Sequence, residues 1–233
     1  MKFGVVVFPG SNCDRDMQDA LSQDLGYPVE MLWHKDSDLS HFTTEDCVVL
    51  PGGFSYGDNL RSGAIARFSP IMDKVIEHAN NGGYVMGVCN GFQVLTEAKL
   101  LPGALLRNNN QKFICKNVYI TPATTNTPIT SGLSTEEVYK IPIAHGEGRF
   151  YADEDTLAHL QDNEQITFQY CRVDGKIDTE HNPNGSLLNI AGITNKTKNV
   201  FGMMPHPERA ADSDLSNRDG LALFESLLTF CKA

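Results

Sequence analysis

Tyr84-Val85-Met86-Gly87-Val88-Cys89-Asn90-Gly91-Phe92-Gln93 is an apolar run that ends at a cysteine with glycines on both sides. The apolar run predicts a buried strand, and Asn90–Ala98 has the pattern of a helix. Cys89 therefore lies at a sharp strand-to-helix turn. Gly87 and Gly91 suit such a turn because Cβ atoms would obstruct the close backbone on either side of the displayed side chain.

The start of the predicted helix also suits Cys89 as a nucleophile. Unpaired N–H groups and the positive end of the helix dipole face the sulfur, and both favour the thiolate, which is the reactive form. The competing interpretation is a buried free cysteine at the end of a core strand, since free cysteines are among the most buried residues. This stretch alone leaves the two interpretations open.

Strands and helices alternate over the first hundred residues. This order predicts an α/β fold with three layers, a mostly parallel central sheet of flavodoxin-like type with flanking helices. Beyond residue 100, strands separated by polar loops predict a smaller antiparallel portion. We expect one domain over residues 1–233. The predicted strands are Phe3–Phe8, Val29–Trp33, Cys47–Leu50, Phe113–Ile120, Val138–Ile143, Ile166–Tyr170, Leu187–Ile193 and Asn199–Met204; the further helices are Asp14–Leu25, Ile65–Ala79, Asp153–Gln161 and Asp219–Phe230.

Composition narrows the classes of function. The formal net charge is −10, which argues against a non-specific nucleic-acid binder. The N-terminal apolar run ends at Pro9-Gly10 after six residues, too short for a signal sequence or a membrane span. Six cysteines at irregular spacing, with no CxxC pair, predict reduced thiols in a cytoplasmic protein. No membrane association and no metal site are expected.

A base for Cys89 is predicted at His206, within Met204-Pro205-His206-Pro207-Glu208-Arg209. His206 directly follows a predicted strand, and open α/β sheets bind ligands at the carboxyl ends of their strands. The flanking prolines stiffen the loop. Glu208 can point back to the imidazole and take the third role of a triad. Five other histidines lie in polar or helical contexts and are expected to be solvated or capping: His34, His41, His78, His159 and His181.

Donors for a tetrahedral oxyanion are predicted at the backbone N–H of Asn90 and at the Gly52-Gly53 turn, where bare backbone can approach a substrate. The alternative for this turn, a phosphate-binding loop, is weak because neither GxxxxGK[ST] nor GxGxxG occurs there. Cys13 is a rival thiol, since it too follows a strand and a glycine-containing turn, but no glycine follows it directly.

The residues around Cys89 and the pair His206 and Glu208 resemble the nucleophile motif and the His-x-Glu pair of class I, triad-type glutamine amidotransferases. Other segments look like the glutaminase subunits of phosphoribosylformylglycinamidine (FGAM) synthase, and the likeness runs from residue 8 to residue 209. These segments are Phe8–Asp14, Pro51–Asp58, Leu106–Asn108, Phe113–Lys116 and His145–Phe150.

The resemblance implies a glutaminase. Cys89 would attack the side-chain amide of glutamine and form a γ-glutamyl thioester, His206 would carry protons, and Glu208 would orient His206. It places seven residues at the oxyanion hole or near the bound glutamine: Gly52, Gly53, Phe54, Asn90, Gln93, Asn108 and His145.

The same resemblance implies partners. Ammonia would pass to a separate synthetase subunit that uses ATP and magnesium to amidate formylglycinamide ribonucleotide in purine biosynthesis, with a small third subunit bridging the two. No cofactor is expected in this chain. Two alternatives stay open at this stage: a cysteine hydrolase of another amide or peptide on a similar fold, and a non-catalytic regulatory subunit.

Overall fold

The computed structural model describes residues 1–230. Cys231, which is predicted to be a reduced thiol, lies outside them. The strands are β1 Phe3–Val7, β2 Val29–Trp33, β3 Cys47–Leu50, β4 Tyr84–Val88, β5 Ala104–Leu106, β6 Ile114–Pro122, β7 Tyr139–His145, β8 Arg149–Tyr151, β9 Ile166–Cys171, β10 Ile190–Thr194 and β11 Val200–Met203. The α-helices are α1 Asp14–Asp19, α2 Pro70–Asn80, α3 Asn90–Glu97, α4 Glu154–Asp162 and α5 Asp219–Phe230.

Nine strands form one sheet in the order β2-β1-β3-β4-β11-β10-β9-β6-β7. The first five of these are mutually parallel. Four of these strands, β1, β3, β4 and β11, are apolar and largely buried, as strands covered on both faces require. Helix α3 packs on β3, β4 and β11, so it lies directly over the centre of the parallel half.

The remaining strands β10, β9, β6 and β7 pair antiparallel and extend the same sheet. A separate two-stranded antiparallel sheet joins β5 and β8. The predicted fold class, α/β with a parallel sheet and an antiparallel portion, is confirmed. The antiparallel portion belongs to the main sheet, because β10 pairs antiparallel with β11, the last strand of the parallel half.

Three predicted elements differ in detail. The helix expected over Ile65–Ala79 is a short 3₁₀ turn followed by α2, because Ser69 is extended (φ −63°, ψ 142°) before Pro70, as residues preceding proline prefer. The strand expected over Leu187–Ile193 begins only at Ile190, after a tight turn with left-handed Leu188 and Asn189. Helix α1 continues from Ala20 as a π-type turn rather than an α-helix.

Two histidines predicted to be solvated or capping are instead buried. The Tyr56 hydroxyl lies 2.7 Å from His34 Nδ1, and His78 Nε2 lies 3.2 Å from the Asp46 carbonyl oxygen. Burial lowers the pKa of both imidazoles. The apolar faces of their elements carry them inward, and each ring then takes a polar partner because a buried polar group without one is costly.

The parallel strands place four loops at one edge of the sheet. The segments that follow β1, β3, β4 and β11 begin with Phe8, Pro51, Cys89 and Met204 respectively. Since carboxyl ends of parallel strands meet at the same edge, these loops surround one site. Within residues 1–230, no helix combines the length and apolar character that a membrane span needs.

Candidate active site

Cys89 occupies the turn between β4 and α3 in a left-handed conformation, with φ 50° and ψ −104°. Such backbone angles are strained for a residue with a Cβ, and they are found where a side chain must be displayed at a functional site. The turn is held on the strand side, where Cys89 N–H donates to the Met203 carbonyl at 2.8 Å. The predicted turn geometry around Cys89 is therefore present.

Gly91 shows why the turn needs glycine. A Cβ at this position would lie 1.8 Å from the backbone oxygen of Leu50, a distance no side chain can occupy. A Cβ at Gly87 would lie 2.7 Å from the Gly91 backbone. The first turn of α3 thus lies directly against β3 and β4, and only glycines permit that approach.

His206 and Glu208 form a buried pair beside this turn. His206 Nδ1 lies 2.6 Å from Glu208 Oε1, and both side chains are almost completely excluded from solvent. The backbone N–H of His206 donates to the Pro142 carbonyl at 2.8 Å, and this bond ties the loop to β7. A carboxylate at this distance requires the proton on Nδ1, so Nε2 is left as the nitrogen that can exchange a proton.

The electrostatics of the pair favour a charged imidazole. Burial by itself would lower the pKa of His206, but the negative charges of Glu208 and Cys89 outweigh it and raise the pKa well above its ordinary value. His206 Nε2 has no hydrogen-bond partner. The Cys89 thiol donates weakly to the Ala144 carbonyl at 3.7 Å. A thiol and a proton-carrying imidazole thus lie together in a site closed to water, which is the arrangement that nucleophilic catalysis by cysteine requires.

The Gly52-Gly53 turn borders the pair on another side. A Cβ on Gly52 would lie 2.6 Å from His206 Cε1, so the imidazole lies against bare backbone. Gly53 has φ +128°, a conformation that only glycine adopts readily. The loop after β1 supports the turn, since Ser11 Oγ donates to the Gly52 carbonyl at 3.0 Å and Ser11 bridges to Gly53.

The predicted oxyanion donor Asn90 begins helix α3. Its backbone N–H belongs to the first turn, which a helix leaves without intrahelical acceptors, and the first helical bond of this turn runs from Gln93 N–H to the Cys89 carbonyl. The Asn90 side chain is used elsewhere. Its Oδ1 accepts from the Ser55 hydroxyl at 2.5 Å, and its Nδ2 donates to Asp58 and Gln93.

Gln93 and Asn108 have side chains whose polar atoms already have partners. Gln93 Nε2 donates to the Glu147 carbonyl and its Oε1 accepts from Asn90. Asn108 is fully buried; its Nδ2 donates to two carbonyls, and its Oδ1 accepts from the Gly148 N–H. Both side chains are therefore held in fixed orientations, and their direct contact with glutamine stays a prediction.

His145 is oriented by Asn108. Because Asn108 Oδ1 is an acceptor, His145 Nδ1 at 3.1 Å must carry the proton, so Nε2 has the lone pair. Nε2 is buried and has no hydrogen-bond partner. Burial, reinforced by the nearby positive charge of His206, lowers the pKa of His145 to about 4. His145 is thus a neutral acceptor beside the triad at neutral pH.

Phe54 lies at the edge of the site rather than inside it. Its ring is 45% exposed and stacks on Phe113 with centroids 6.3 Å apart. Cys89 and His206 are instead nearly closed to solvent, at 5% and 1% exposed. The segment between Phe54 and Gly63 contains left-handed Tyr56, Asp58 and Leu60, and it is attached to the nucleophile turn through Asn90.

Sequence reasoning assigned no role to three residues of this polar network, Ser55, Asp58 and Glu147. Burial, with the nearby negative charge of Glu147, raises the pKa of Asp58. Glu147 Oε2 accepts from the Ser62 N–H at 3.3 Å. All three residues lie within the segments quoted above for the family resemblance, so a signal was present, but their partners are 32 to 85 residues away in the chain.

Fold and site together define a glutamine amidotransferase with a cysteine nucleophile. The chain belongs to the CobB/CobQ-like glutamine amidotransferase domain family, and its match to that family covers residues 1–224.

Within that family the chain is similar to phosphoribosylformylglycinamidine synthase subunit PurQ. It is 58% identical over 224 residues to PurQ of Synechocystis sp., covering 96% of this chain and 99% of that one. It is 58% identical over 228 residues to PurQ of Trichormus variabilis, with 98% and 97% covered. A chain of the solved structure of PurLQS from Thermotoga maritima superposes with a TM-score of 0.85 at 40% identity, with 98% of both chains covered.

Proposed function

We propose that this chain is the glutaminase subunit of a cytoplasmic FGAM synthase. It hydrolyses glutamine and supplies ammonia to a PurL-type synthetase subunit, with a PurS-type small subunit in the same assembly, for the conversion of formylglycinamide ribonucleotide to formylglycinamidine ribonucleotide. ATP and magnesium are used on the synthetase, and this chain holds no cofactor. The observation that carries the proposal is the strained Cys89 turn beside the buried His206–Glu208 pair. The likeness to PurQ along nearly the whole chain supports the pathway.

In the first half-reaction the Cys89 thiol gives its proton to His206 Nε2, and its sulfur attacks the side-chain amide carbon of glutamine. The carbonyl oxygen becomes an oxyanion, which accepts hydrogen bonds from the backbone N–H groups of Asn90 and Gly53. His206 gives its Nε2 proton to the amide nitrogen, the C–N bond breaks, and ammonia leaves. The product on the enzyme is a γ-glutamyl thioester on Cys89, and Glu208 holds the imidazole in the tautomer that allows this transfer.

In the second half-reaction water attacks the thioester carbon. His206, now neutral at Nε2, accepts a proton from that water, the C–S bond breaks, and glutamate leaves with Cys89 restored. The protons balance because the one given to ammonia in the first step is recovered from water in the second. The buried surroundings keep bulk water away from the thioester until ammonia has departed.

We also propose that seven residues surround the glutamine side chain, and that His145 Nε2 is a hydrogen-bond acceptor among them. These residues are Gly52, Gly53, Phe54, Asn90, Gln93, Asn108 and His145. Because Cys89 and His206 are almost unexposed, glutamine can enter only after residues around them move. The partner subunits are the natural trigger, and the isolated chain is expected to be a slow glutaminase.

Glutamate release tests the proposal. The purified chain is incubated with glutamine, first alone and then with the synthetase and small subunits, ATP and formylglycinamide ribonucleotide. Release that rises sharply in the assembled complex is the expected result. Cys89→Ala should abolish synthesis from glutamine and leave synthesis from ammonium salts intact.

Each rival gives a different result. A hydrolase of another amide would release no glutamate from glutamine in the complex although its fold is intact. For a non-catalytic regulatory subunit, Cys89→Ala would leave synthesis from glutamine, like synthesis from ammonium salts, at the level of the unmodified chain. Loss of both syntheses in Cys89→Ala would mean that Cys89 has a structural role.

A further inference from the structure

Cys13 lies against the catalytic pair although it belongs to a different loop. It is buried, at the start of α1, and its sulfur lies within 4.8 Å of one ring nitrogen of His206 and one carboxylate oxygen of Glu208. A Cβ on Gly52 would lie 3.3 Å from both Cys13 Sγ and His206 Nδ1. The thiol therefore lies close to both the imidazole of His206 and the carboxylate of Glu208.

Arg209 connects Cys13 to the loop that bears the triad. Its Nη2 donates to Cys13 Sγ at 3.1 Å and its Nε donates to Asp16 Oδ2 at 3.0 Å. Cys13 and Asp16 are three residues apart at the start of α1, so one guanidinium binds this helix at two points. Since Arg209 directly follows Glu208, the contacts fix the short turn that carries Glu208.

Only one of the two carboxylate oxygens of Glu208 has a hydrogen-bond partner. Oε1 is bonded to His206, while Oε2 is buried and has no hydrogen-bond partner. A carboxylate held on one side only can rotate away from its partner, and the groups packed beside it then decide its orientation. Cys13 and the Arg209 guanidinium are two such groups, one filling space and the other supplying positive charge.

We propose that Cys13 is a positioning residue of the reaction: with Arg209, it holds Glu208 and His206 in the orientation that leaves Nε2 toward Cys89. The proposal rests on the function above, in which His206 transfers the proton. It also explains why the loop after β1, remote in sequence from the triad, is packed into the site.

Two other roles for Cys13 fit the structure less well. A thiolate, an imidazole and a carboxylate are a donor set for a transition metal. A guanidinium 3.1 Å from the sulfur, however, places a fixed positive charge where the cation would bind. A second nucleophile is disfavoured because Cys13 lies on relaxed backbone (φ −111°, ψ 5°), and its sulfur is already in contact with Arg209 and Asn12.

The test compares Cys13→Ala and Cys13→Ser in the assembled complex, with Cys171→Ser as the matched control at a buried thiol of β9. A misplacement of about 1 Å at a reacting group can cost on the order of 100-fold in rate. We expect Cys13→Ala, which allows a smaller shift of His206, to lower kcat for glutamine about tenfold with KM within about twofold, and Cys13→Ser to restore most of the loss. Cys171→Ser should keep the wild-type kcat.

A second readout does not require turnover. The rate at which iodoacetamide alkylates Cys89 is measured against pH, with the modified cysteine identified by peptide mass spectrometry. In Cys13→Ala the rise in rate should move to higher pH, because a less well held Glu208 stabilises the imidazolium less. Cys13→Ser should restore the wild-type profile.

The outcomes separate this proposal from the proposed function. A wild-type complex that releases no glutamate contradicts the function, whatever the variants do. A functional wild type with wild-type kcat and alkylation profile in Cys13→Ala overturns the positioning role, as does a raised KM with unchanged kcat. If Cys13→Ala does not fold, Asp16→Asn, which removes one anchor of Arg209, must reproduce the shift in the alkylation profile, and an unshifted profile overturns the proposal.

Discussion

Gly52→Ala is predicted to displace the imidazole of His206 without disturbing the fold. Gly52 is not in the left-handed region, so alanine can adopt its backbone conformation, and the obstacle is the added Cβ alone. That atom would lie 2.6 Å from His206 Cε1, whereas nine in ten real Cβ contacts exceed 3.4 Å, so something must move by about 0.8 Å (3.4 − 2.6).

The movement falls on His206 for a structural reason. Gly52 is fixed because its carbonyl accepts a hydrogen bond from Ser11 Oγ. The His206 imidazole is bonded to Glu208, and the His206 backbone N–H donates to the Pro142 carbonyl. Relief therefore pulls the ring away from its carboxylate. A misplacement near 1 Å costs on the order of 10²-fold in rate, so we expect kcat for glutamine to fall by about that factor. The overpacking itself should lower the free energy of unfolding by about 1–3 kcal/mol.

Two assays separate the effect on the imidazole from other effects. Glutamate release in the complex measures kcat, and alkylation of Cys89 by iodoacetamide measures the action of His206 without an oxyanion. Both should fall in Gly52→Ala. The matched control is Gly146→Ala, where the added Cβ would meet nothing closer than Phe113 at 3.8 Å. A folded Gly52→Ala protein with both rates within about twofold of wild type would refute the close-contact argument.

Three further changes have defined outcomes. Gly91→Ala places a Cβ 1.8 Å from the Leu50 backbone oxygen and should prevent folding, measured as loss of soluble protein and of the circular dichroism of the native state; a folded variant would mean that the turn can open. Glu208→Gln keeps the shape of the pair but removes its charge, so kcat should fall on the order of 10⁴-fold with little change in KM, and an unchanged kcat would contradict the assigned role. The pKa of His145 is lowered to about 4 in the folded protein, so its contribution to stability is present above pH 6.5 and is lost as the pH falls toward 4. Denaturation curves should show wild type losing about 3 kcal/mol more than His145→Gln between pH 7 and pH 4, and equal losses would mean that His145 is not buried as a neutral ring.

The parallel half of the fold and the turn at Cys89 could be predicted because their signals are local. Strand β4, the turn at Cys89 and helix α3 are continuous in sequence, and glycine requirements on both sides of the nucleophile are visible in the letters. His206 could be placed because it directly follows a strand of the same parallel sheet. The likeness to known glutaminases then indicated glutamine as the substrate.

The support around the triad could not be predicted, because each of its contacts joins distant parts of the chain. Cys13 meets Arg209 across 196 residues, and Asn90 meets Ser55 across 35. The sequence suggests only a rival nucleophile at Cys13, because a thiol after a strand is typical of that chemistry and nothing in the sequence places an arginine beside it. Some predicted helix boundaries were wrong because backbone preferences outweighed the apolar pattern. Pro70 keeps the preceding residue extended, so the helix begins at Pro70 and not at Ile65.

Trapping the thioester would test the proposed chemistry. The assembled complex is mixed with glutamine, quenched in acid during turnover, digested and analysed by mass spectrometry. The γ-glutamyl group should be found on the peptide that contains Cys89, should disappear in Cys89→Ser, and should accumulate in a variant such as His206→Asn if attack by water slows more than attack by the thiolate. A γ-glutamyl group on Cys13, or steady glutamate production by Cys89→Ser, would contradict the assignment of Cys89 as the nucleophile.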